Sequence, residues 1–357
     1  MMRETTVRTL LLALALLIAA CGAFAAGGDS YEIKVYPVAR VADAPVIDGD
    51  LSDAAWSRAP VVDEFALYGK PDPVDVQTHF RVIYTTSDLV LGLRFDEPNM
   101  GKLTPVGQPR DSMGVFHGEA VEIFVDPDHD QQSYYQIAVN AAESIYDSVK
   151  TDPTWSADVR VGVELHDDHW TLEVAIPWVD LGVSPERGML VGLNVCRDRH
   201  LGANKQWSNW ARTSGGFHDP QRFGHIILSP SASRIGELNE ELHKGGRAGP
   251  IVIYGPDAFV RDANRAIAMT AIGAAEELLA RLDETREGET DPAARKELGR
   301  RIEDYRQELA GFEATATGDG AVTHEQWREM NHRIAQMRDE LRTVIWQARL
   351  AALLSEI

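Results

Sequence analysis

The hydrophobic period of this chain changes once, and that change divides it. Between about Tyr31 and Pro230, apolar and polar residues alternate in the short runs HFRVIY, LVLGLRF, AVEIFVD, YYQIAVN, DVRVGVEL, HWTLEVAIP, LVGLNVC and GHIIL. Each run is rich in β-branched and aromatic residues and is bounded by turn formers. A two-residue period sends alternate side chains to one face of a strand, so the runs predict roughly ten strands in a mainly β domain, a sandwich or barrel. Thr86-Ser87 and Asp167-Asp168 separate pairs of runs by turn-sized gaps and predict tight hairpins between antiparallel neighbours.

Beyond Pro230 the pattern weakens and then lengthens. Residues 231–256 hold glycine pairs, scattered charges and one short apolar run, Ile251 to Tyr254, the composition of a linker that touches the domain briefly. A helical period then takes over and predicts three helices. The first runs from Asp257 to about Arg286. The second opens at Asp291-Pro292, an N-cap followed by proline at the first helical position, and carries Leu298, Ile302, Tyr305, Leu309 and Phe312. The third opens on Thr323 with Gln326 three residues on, a capping box, and places Trp327, Met330, Ile334, Met337, Leu341, Val344, Ala348 and Ala351 at three- and four-residue steps. Such a seam fills a bundle core or coiled coil. Residues 257–357 are therefore predicted as a helical hairpin, three-helix bundle or coiled coil, suited to self-association or a protein partner.

The first residues predict the compartment. Arg3 and Arg8 precede an apolar run from Leu10 to Ala20, too short to span a bilayer comfortably and shaped like a secretory signal. Ala23-Phe24-Ala25 fits signal peptidase and gives a signal over residues 1–25. Ile18-Ala19-Ala20-Cys21 fits a lipobox, which would end the signal at residue 20 and lipidate Cys21. Both readings make the mature protein exported, whether periplasmic, extracellular or lipid-anchored at the cell envelope, with no transmembrane span. Cys196 is the only other cysteine, so no intramolecular disulfide is expected, and its place in LVGLNVC reads as a small buried hydrophobe. A formal charge of -20 over 357 residues speaks against nucleic acid or an anionic membrane surface as partner.

The common catalytic signatures are missing: the sequence contains no GxSxG elbow, HExxH, Walker loop or CxxC knuckle. GVFHGEAVEIFVDPDHD, residues 114–130, reads instead as a binding face. In a strand over Ala120 to Asp126, Val121, Ile123 and Val125 point to the core and Glu122 and Phe124 to the other side. Sugars suit such faces, because flat aromatic rings cover the apolar face of a pyranose while carboxylates and amides bond its hydroxyls. Phe116, Glu122 and Asn140 are candidates from this part of the chain; Trp207, Trp210, Phe217 and His218 form a second cluster. Trp56, Trp170 and Trp178 sit among alternating apolar residues and read as core, while Trp155 fits either role. The alternating carboxylates Asp126, Asp128 and Asp130 suit a hard cation such as calcium. They lack the glycine and distal glutamate of an EF-hand, and a solvated Asp-Pro turn is the other reading.

Several longer stretches occur together: PVIDGDLSDAAWSRAP, SDLVLGLRFDEP, EAVEIFVDPDHDQQSYYQIAVNAAESIYD, EVAIPWVDLGVSPERGMLVGLNVCRDR and FHDPQRFGHIILSP. As a set, over about Val41 to Pro230, they resemble family 9 carbohydrate-binding modules. The resemblance implies an antiparallel β-sandwich holding a reducing-end sugar between two aromatic rings, with calcium in structural roles, as an accessory to glycan degradation. Phe116 and Phe217 fall where the sugar-binding pattern has tryptophans, Glu122 and Asn140 match its strand glutamate and asparagine, and Ala138 stands where an arginine is expected. Three other readings remain at this point. One is an assembly module that has lost its ligand and works through its helices. A second is a related haem-binding domain using Met113 and His117. The third is a glycosidase with two carboxylates across a cleft.

Overall fold

The computed structural model describes residues 31–203, 205–245, 247–318 and 320–355. The predicted signal segment, Cys21 included, lies outside them. The β domain comprises β1 (Ile33–Arg40), β2 (Ala66–Leu67), β3 (Thr78–Tyr84), β4 (Asp88–Asp96), β5 (Ala120–Asp126), β6 (Tyr135–Asn140), β7 (Ile145–Val149), β8 (Arg160–Leu165), β9 (His169–Pro177), β10 (Leu190–Arg199), β11 (Gln206–Asn209), β12 (Gly224–Leu228) and β13 (Ile251–Ile253).

Strand β1 belongs to both layers. Its first half lies between β12 and β13 in a sheet ordered β7-β6-β5-β10-β12-β1, with β11 beside β10 and β2 beside β11. Its last residues, Ala39 and Arg40, pair with β3 in the second sheet, β3-β4-β9-β8. The predicted antiparallel pairing holds elsewhere, but β1 is parallel to all three of its partners. The two predicted hairpins form: the Thr85 N–H donates to Asp88 O (2.9 Å) between β3 and β4, and the His166 N–H to His169 O (2.9 Å) between β8 and β9.

Alternation fills the space between the layers. Val121, Ile123 and Val125 of β5 and Leu193 and Val195 of β10 share one core with Leu91 and Leu93 of β4 and Leu172 and Val174 of β9. Each such side chain contributes roughly 1.5–3 kcal/mol through removal from water. Trp170, Trp178 and Trp210 are buried in the same core, against which Trp155 is half-buried. Trp56 is also buried, but on the outer side of the second sheet, where its indole N–H donates to Glu173 Oε1 at 2.8 Å.

Residues 231–256 are not the linker that their composition suggests. Ser231 caps α1 (Ala232–Glu237), its Oγ accepting from the Arg234 N–H at 3.2 Å; α2 (Asn239–Leu242) follows, and the Ile251 run becomes β13, in register with Ile33 to Val35. Gly236 serves close packing: a Cβ there would stand 2.7 Å from Ala266 O of the long helix α3 (Asp257–Gly288). Ile235, Leu238 and Leu242, with Val260, Ala263 and Ile267 of α3, cover the outward residues Ile33, Val35 and Ile227. The helices are thereby seated on one end of the first sheet.

Helices α4 (Pro292–Thr317) and α5 (His324–Ser355) complete a three-helix layer with its own core of Leu279, Leu282, Leu298, Ile302, Leu309, Trp327, Ile334, Met337 and Leu341. Both predicted caps are made. Asp291 accepts from the Ala293 N–H at 3.0 Å; Thr323 Oγ1 accepts from the Gln326 N–H at 3.2 Å, and Gln326 Oε1 from the Thr323 N–H at 2.9 Å. The α5 seam is buried from Trp327 to Val344, then opens, with Ala348 half-buried and Ala351 exposed. Among the described residues no helix is long and apolar enough to cross a membrane.

Candidate functional site

The helices cover β12, β1 and β13, which leaves the outer face of β5, β6, β7 and β10 available at the other end of the sheet. There the two-residue period places polar side chains in a row across four strands. Ser148 of β7 donates to Gln136 Oε1 of β6 (3.2 Å), and Gln136 Nε2 donates to Glu122 Oε2 of β5 (2.6 Å). Glu122 is in turn hydrogen-bonded to Asp198 of β10. The last two carboxyls open on a cleft of about 480 Å³.

Aromatic rings wall this cleft. Phe116 sits on the 3₁₀ turn Met113–His117, started by Ser112 Oγ accepting from the Gly114 N–H (3.1 Å), and its ring meets Tyr146 edge-on with centroids 5.0 Å apart. Trp207 of β11 lies opposite Asp198 in register and is 44% exposed, an unusual price in apolar exposure for a tryptophan. Its carbonyl accepts from the Tyr68 N–H (2.9 Å), fixing Tyr68 beside it, and the Tyr68 ring stands edge-on to Phe217 (5.3 Å, 87°). Phe217 is backed by the buried ring of Phe124, 6.5 Å away. His200 and Lys205, from the β10–β11 connection, complete the rim.

Burial governs the charge here. Glu122 and Asp198 are 7% and 3% exposed, and Ala138, whose Cα pairs with Glu122, offers no cation. Desolvation, then the neighbouring Asp198, push the Glu122 carboxyl well above its usual range; desolvation likewise pushes Asp198 up to about 6, its hydrogen bond from Glu122 acting against that rise. Burial and their mutual contact thus favour keeping a proton on the pair. Behind the pair, Arg197 bonds Glu119 (3.2 Å) and Arg199 holds Glu97 through two bonds (2.6 and 2.9 Å). Glu119 also accepts the N–H groups of His200 and Leu201, so this buried network holds the connection that rims the cleft.

The structure brings together Phe116, Glu122, Trp207 and Phe217 as cleft walls. Trp210 is a correction: it is 1% exposed, packs edge-on against Phe80 in the core (5.2 Å) and donates its N–H to Tyr254 Oη (3.1 Å). Three residues from Trp207, it falls on the opposite face of the chain, as a two-residue period requires. Asn140 is a second correction. Its Oδ1 accepts from the Ala142 and Ser144 N–H groups (2.9 and 3.0 Å), closing the β6–β7 turn, and it lines a separate recess of about 250 Å³ with His117. His218 bonds Tyr134 Oη (2.9 Å) behind the cleft wall. Met113 and His117 share one short turn, and Met113 projects into solvent, so they form no facing pair for a haem. Sequence reasoning missed Asp198, Tyr68, His200 and Lys205. Only Asp198 had a signal, since in LVGLNVCRDR the alternation puts Asn194, Cys196 and Asp198 on one face.

At the far end of β5, Asp126, Asp128 and Asp130 bring carboxylate oxygens within 4.8 Å of one another. Asp126 is buried and accepts from the Asp130 and Gln131 N–H groups (3.2 and 2.9 Å); burial, with its acidic neighbours, pushes it up to about 7. Together the three offer the all-oxygen donor type that a hard cation takes. Cys196 is buried, and burial raises its thiol.

Comparison with known proteins places the chain. Two curated relatives, the endo-1,4-beta-xylanases A of Thermoanaerobacterium saccharolyticum and Thermotoga neapolitana, are each 23% identical, over 214 and 190 residues (57% and 52% of this chain). The match covers 17% of either xylanase, so the chain spans about a sixth of their length. Two solved structures of a family 9 carbohydrate-binding module from Caldicellulosiruptor kristjanssonii are similar. The cellotriose complex is 17% identical with a TM-score of 0.43, covering 55% of this chain and 94% of that one. The glucose complex is 18% identical with a TM-score of 0.41, covering 54% and 95%. The model of the family described as carbohydrate family 9 binding domain-like matches residues 47–231, more than half of the sequence and the whole of the two-layered β structure from the Trp56 segment to β12, and the chain belongs to that family.

Proposed function

We propose that this protein is an exported, non-catalytic carbohydrate-binding protein that holds a sugar or glycan end in the cleft between Phe116, Trp207 and Phe217, as an accessory to glycan degradation. One observation carries the reading: exposed or half-buried rings and two buried carboxyls, contributed by separate segments of chain, converge on one cleft of about 480 Å³. That volume suits a small number of sugar rings, with stacking on the walls and hydroxyl bonds at the floor. The carboxyls speak against hydrolysis there, because Glu122 and Asp198 are hydrogen-bonded to each other, whereas glycosidase pairs stand about 5–9.5 Å apart.

Calorimetric titration of the full chain with a panel of mono- and oligosaccharides tests this reading. Saturable binding, weakened about tenfold or more by Trp207→Ala and by Phe116→Ala, is the expected result. A folded protein that binds no sugar refutes it. Export is tested separately by fractionating cells and weighing the mature chain, where loss of residues 1–25, or a lipid mass on Cys21, is expected.

A second reading, assembly through the helices, is favoured by Trp346 and Leu353 of α5, which are 57% and 62% exposed. Light scattering over a concentration series decides it, because a monomer at every concentration excludes self-association.

A further inference from the structure

Resting on the sugar-binding reading, we propose that the cleft selects a cationic sugar, a glycan end bearing a free amino group, over its neutral counterpart. The argument begins with what is missing. Two carboxyls on adjacent strands, each more than nine-tenths buried, touch one another at the cleft floor, and the position directly across from Glu122 is Ala138 rather than a basic residue. Gln136, the one side chain that donates to Glu122 from the neighbouring strand, is neutral and is itself held by Ser148, so it can neutralise nothing. The pair is left to share a proton, which is how two like charges in contact relieve their repulsion when no counter-ion is supplied.

An ammonium group can replace that proton. It carries three donors, enough to bond both carboxylates at once, and a charge that lets both ionise; the proton it displaces goes to solvent, so binding is an exchange of one cation for another. The walls favour the same chemistry. Trp207, Phe116 and Tyr68 line the same cleft as the two carboxyls, and a cation brought within about 6 Å of an aromatic face gains from the ring's negative face. A neutral hydroxyl in the same place would meet the rings without that gain and would leave the shared proton where it is.

The other charged groups about the pair are few. Lys205 is exposed on the rim and acts on Asp198, Glu119 lies behind β10 and is engaged by Arg197, and burial lowers the His200 imidazole from its ordinary value. Among the described residues that line the cleft, Lys205 is thus the competing cation.

The test is calorimetric titration of the full chain at pH 7 with glucosamine, glucose and N-acetylglucosamine, and with the matching oligomers. The amino sugar is expected to bind at least tenfold more tightly than either neutral sugar. Because binding displaces a proton, its affinity should fall several-fold at pH 5, where Asp198 and Glu122 hold protons more firmly, while neutral sugars change little. Glu122→Gln and Asp198→Asn should each erase the preference, bringing glucosamine to the affinity that glucose has for the same variant, and Lys205→Ala should widen it. Circular dichroism confirms that each variant is folded, and the two carboxamide variants serve as alternates for one another. Glucose binding as tightly as glucosamine overturns the inference and leaves sugar binding standing. No binding of any sugar by the folded chain overturns both.

Discussion

Replacing Arg197 with methionine tests whether the charge network behind the cleft is structural. Arg197 is 1% exposed and makes contacts at 3.2 Å to Glu119, 3.5 Å to Glu97 and 3.0 Å to the Asp96 carbonyl, with its guanidinium 5.5 Å from the centre of the Phe95 ring. Methionine keeps most of the volume and removes the charge. Glu97 would still have both bonds from Arg199, and the Gln77 carbonyl, which also accepts from Arg197, would keep the Asp96 N–H. Glu119 would keep only the N–H groups of His200 and Leu201, so a balanced group of two acids and two bases becomes one with an unpaired buried carboxylate. Breaking a buried pair in this way costs about 3–5 kcal/mol. With a urea slope of about 3 kcal/mol per molar, the unfolding midpoint, followed by tryptophan fluorescence, should fall by more than about 1 M at unchanged slope. Sugar affinity should fall as well, because Glu119 holds the connection bearing His200 and Lys205. Arg94→Met serves as the control: Arg94 is 40% exposed in its pair with Asp96, and its loss should cost at most about 1 kcal/mol. If Arg197→Met also costs less than 1 kcal/mol, the claim that this network is dry and obligatory is wrong.

Three further outcomes are expected. Gly236→Ala, which ordinarily stabilises a helix, should destabilise this protein by about 1–3 kcal/mol, since the new Cβ would stand 2.7 Å from Ala266 O; calorimetric melting checks the sign. The raised carboxyl of Asp198 contributes stability that is complete below its unfolded value near 3.8 and is lost as pH rises through about 6. Urea titrations from pH 3.5 to 7 should therefore show a decline that Asp198→Asn flattens, and an identical slope in the variant would refute the assignment. We also propose that calcium, held by Asp126, Asp128 and Asp130, steadies the end of β5. Calcium at a hundred times its dissociation constant should then add about 2.7 kcal/mol to stability, a gain abolished by Asp128→Ala; melting unmoved by millimolar calcium or by chelator removes the proposal.

Local patterns in this chain were legible from sequence because their causes are local. The Asp291-Pro292 start, the Thr323–Gln326 capping box and both hairpin turns depend on residues within a few positions of one another, and each forms as read. The assignment of Val121, Ile123 and Val125 to the core follows from strand period alone. What failed depended on partners far along the chain. Residues 231–256 look like a linker until β1 and α3 are placed beside them, and Glu122 has no visible acidic partner until β10 pairs with β5. Asn140 had the chemistry of a sugar ligand, but at a strand end that chemistry serves the following turn equally well, and here the turn takes it. Trp210 was misplaced despite an available cue, its odd spacing from Trp207.

The parallel pairing of β1 also sets an order of events. The first strand of the described residues pairs with β3, with β12 at His225 to Leu228 and with β13 at Ile251 to Ile253, with Ile33 lying beside Ile251. The second sheet has all its strands once β9 is made, but the first cannot be finished until β12 and β13 follow, so its closure must await the segment leading into the helices. Such distant contacts make for slow folding, with loop-closure entropy spent before the contacts repay it. A truncation at Pro230 would remove β13, α1 and α2 along with the helices, baring Ile33 and Val35 and one edge of β1. The β domain and the helices thus meet through β13, α1 and α2, and a boundary between them belongs after Ile253 rather than before Ser231.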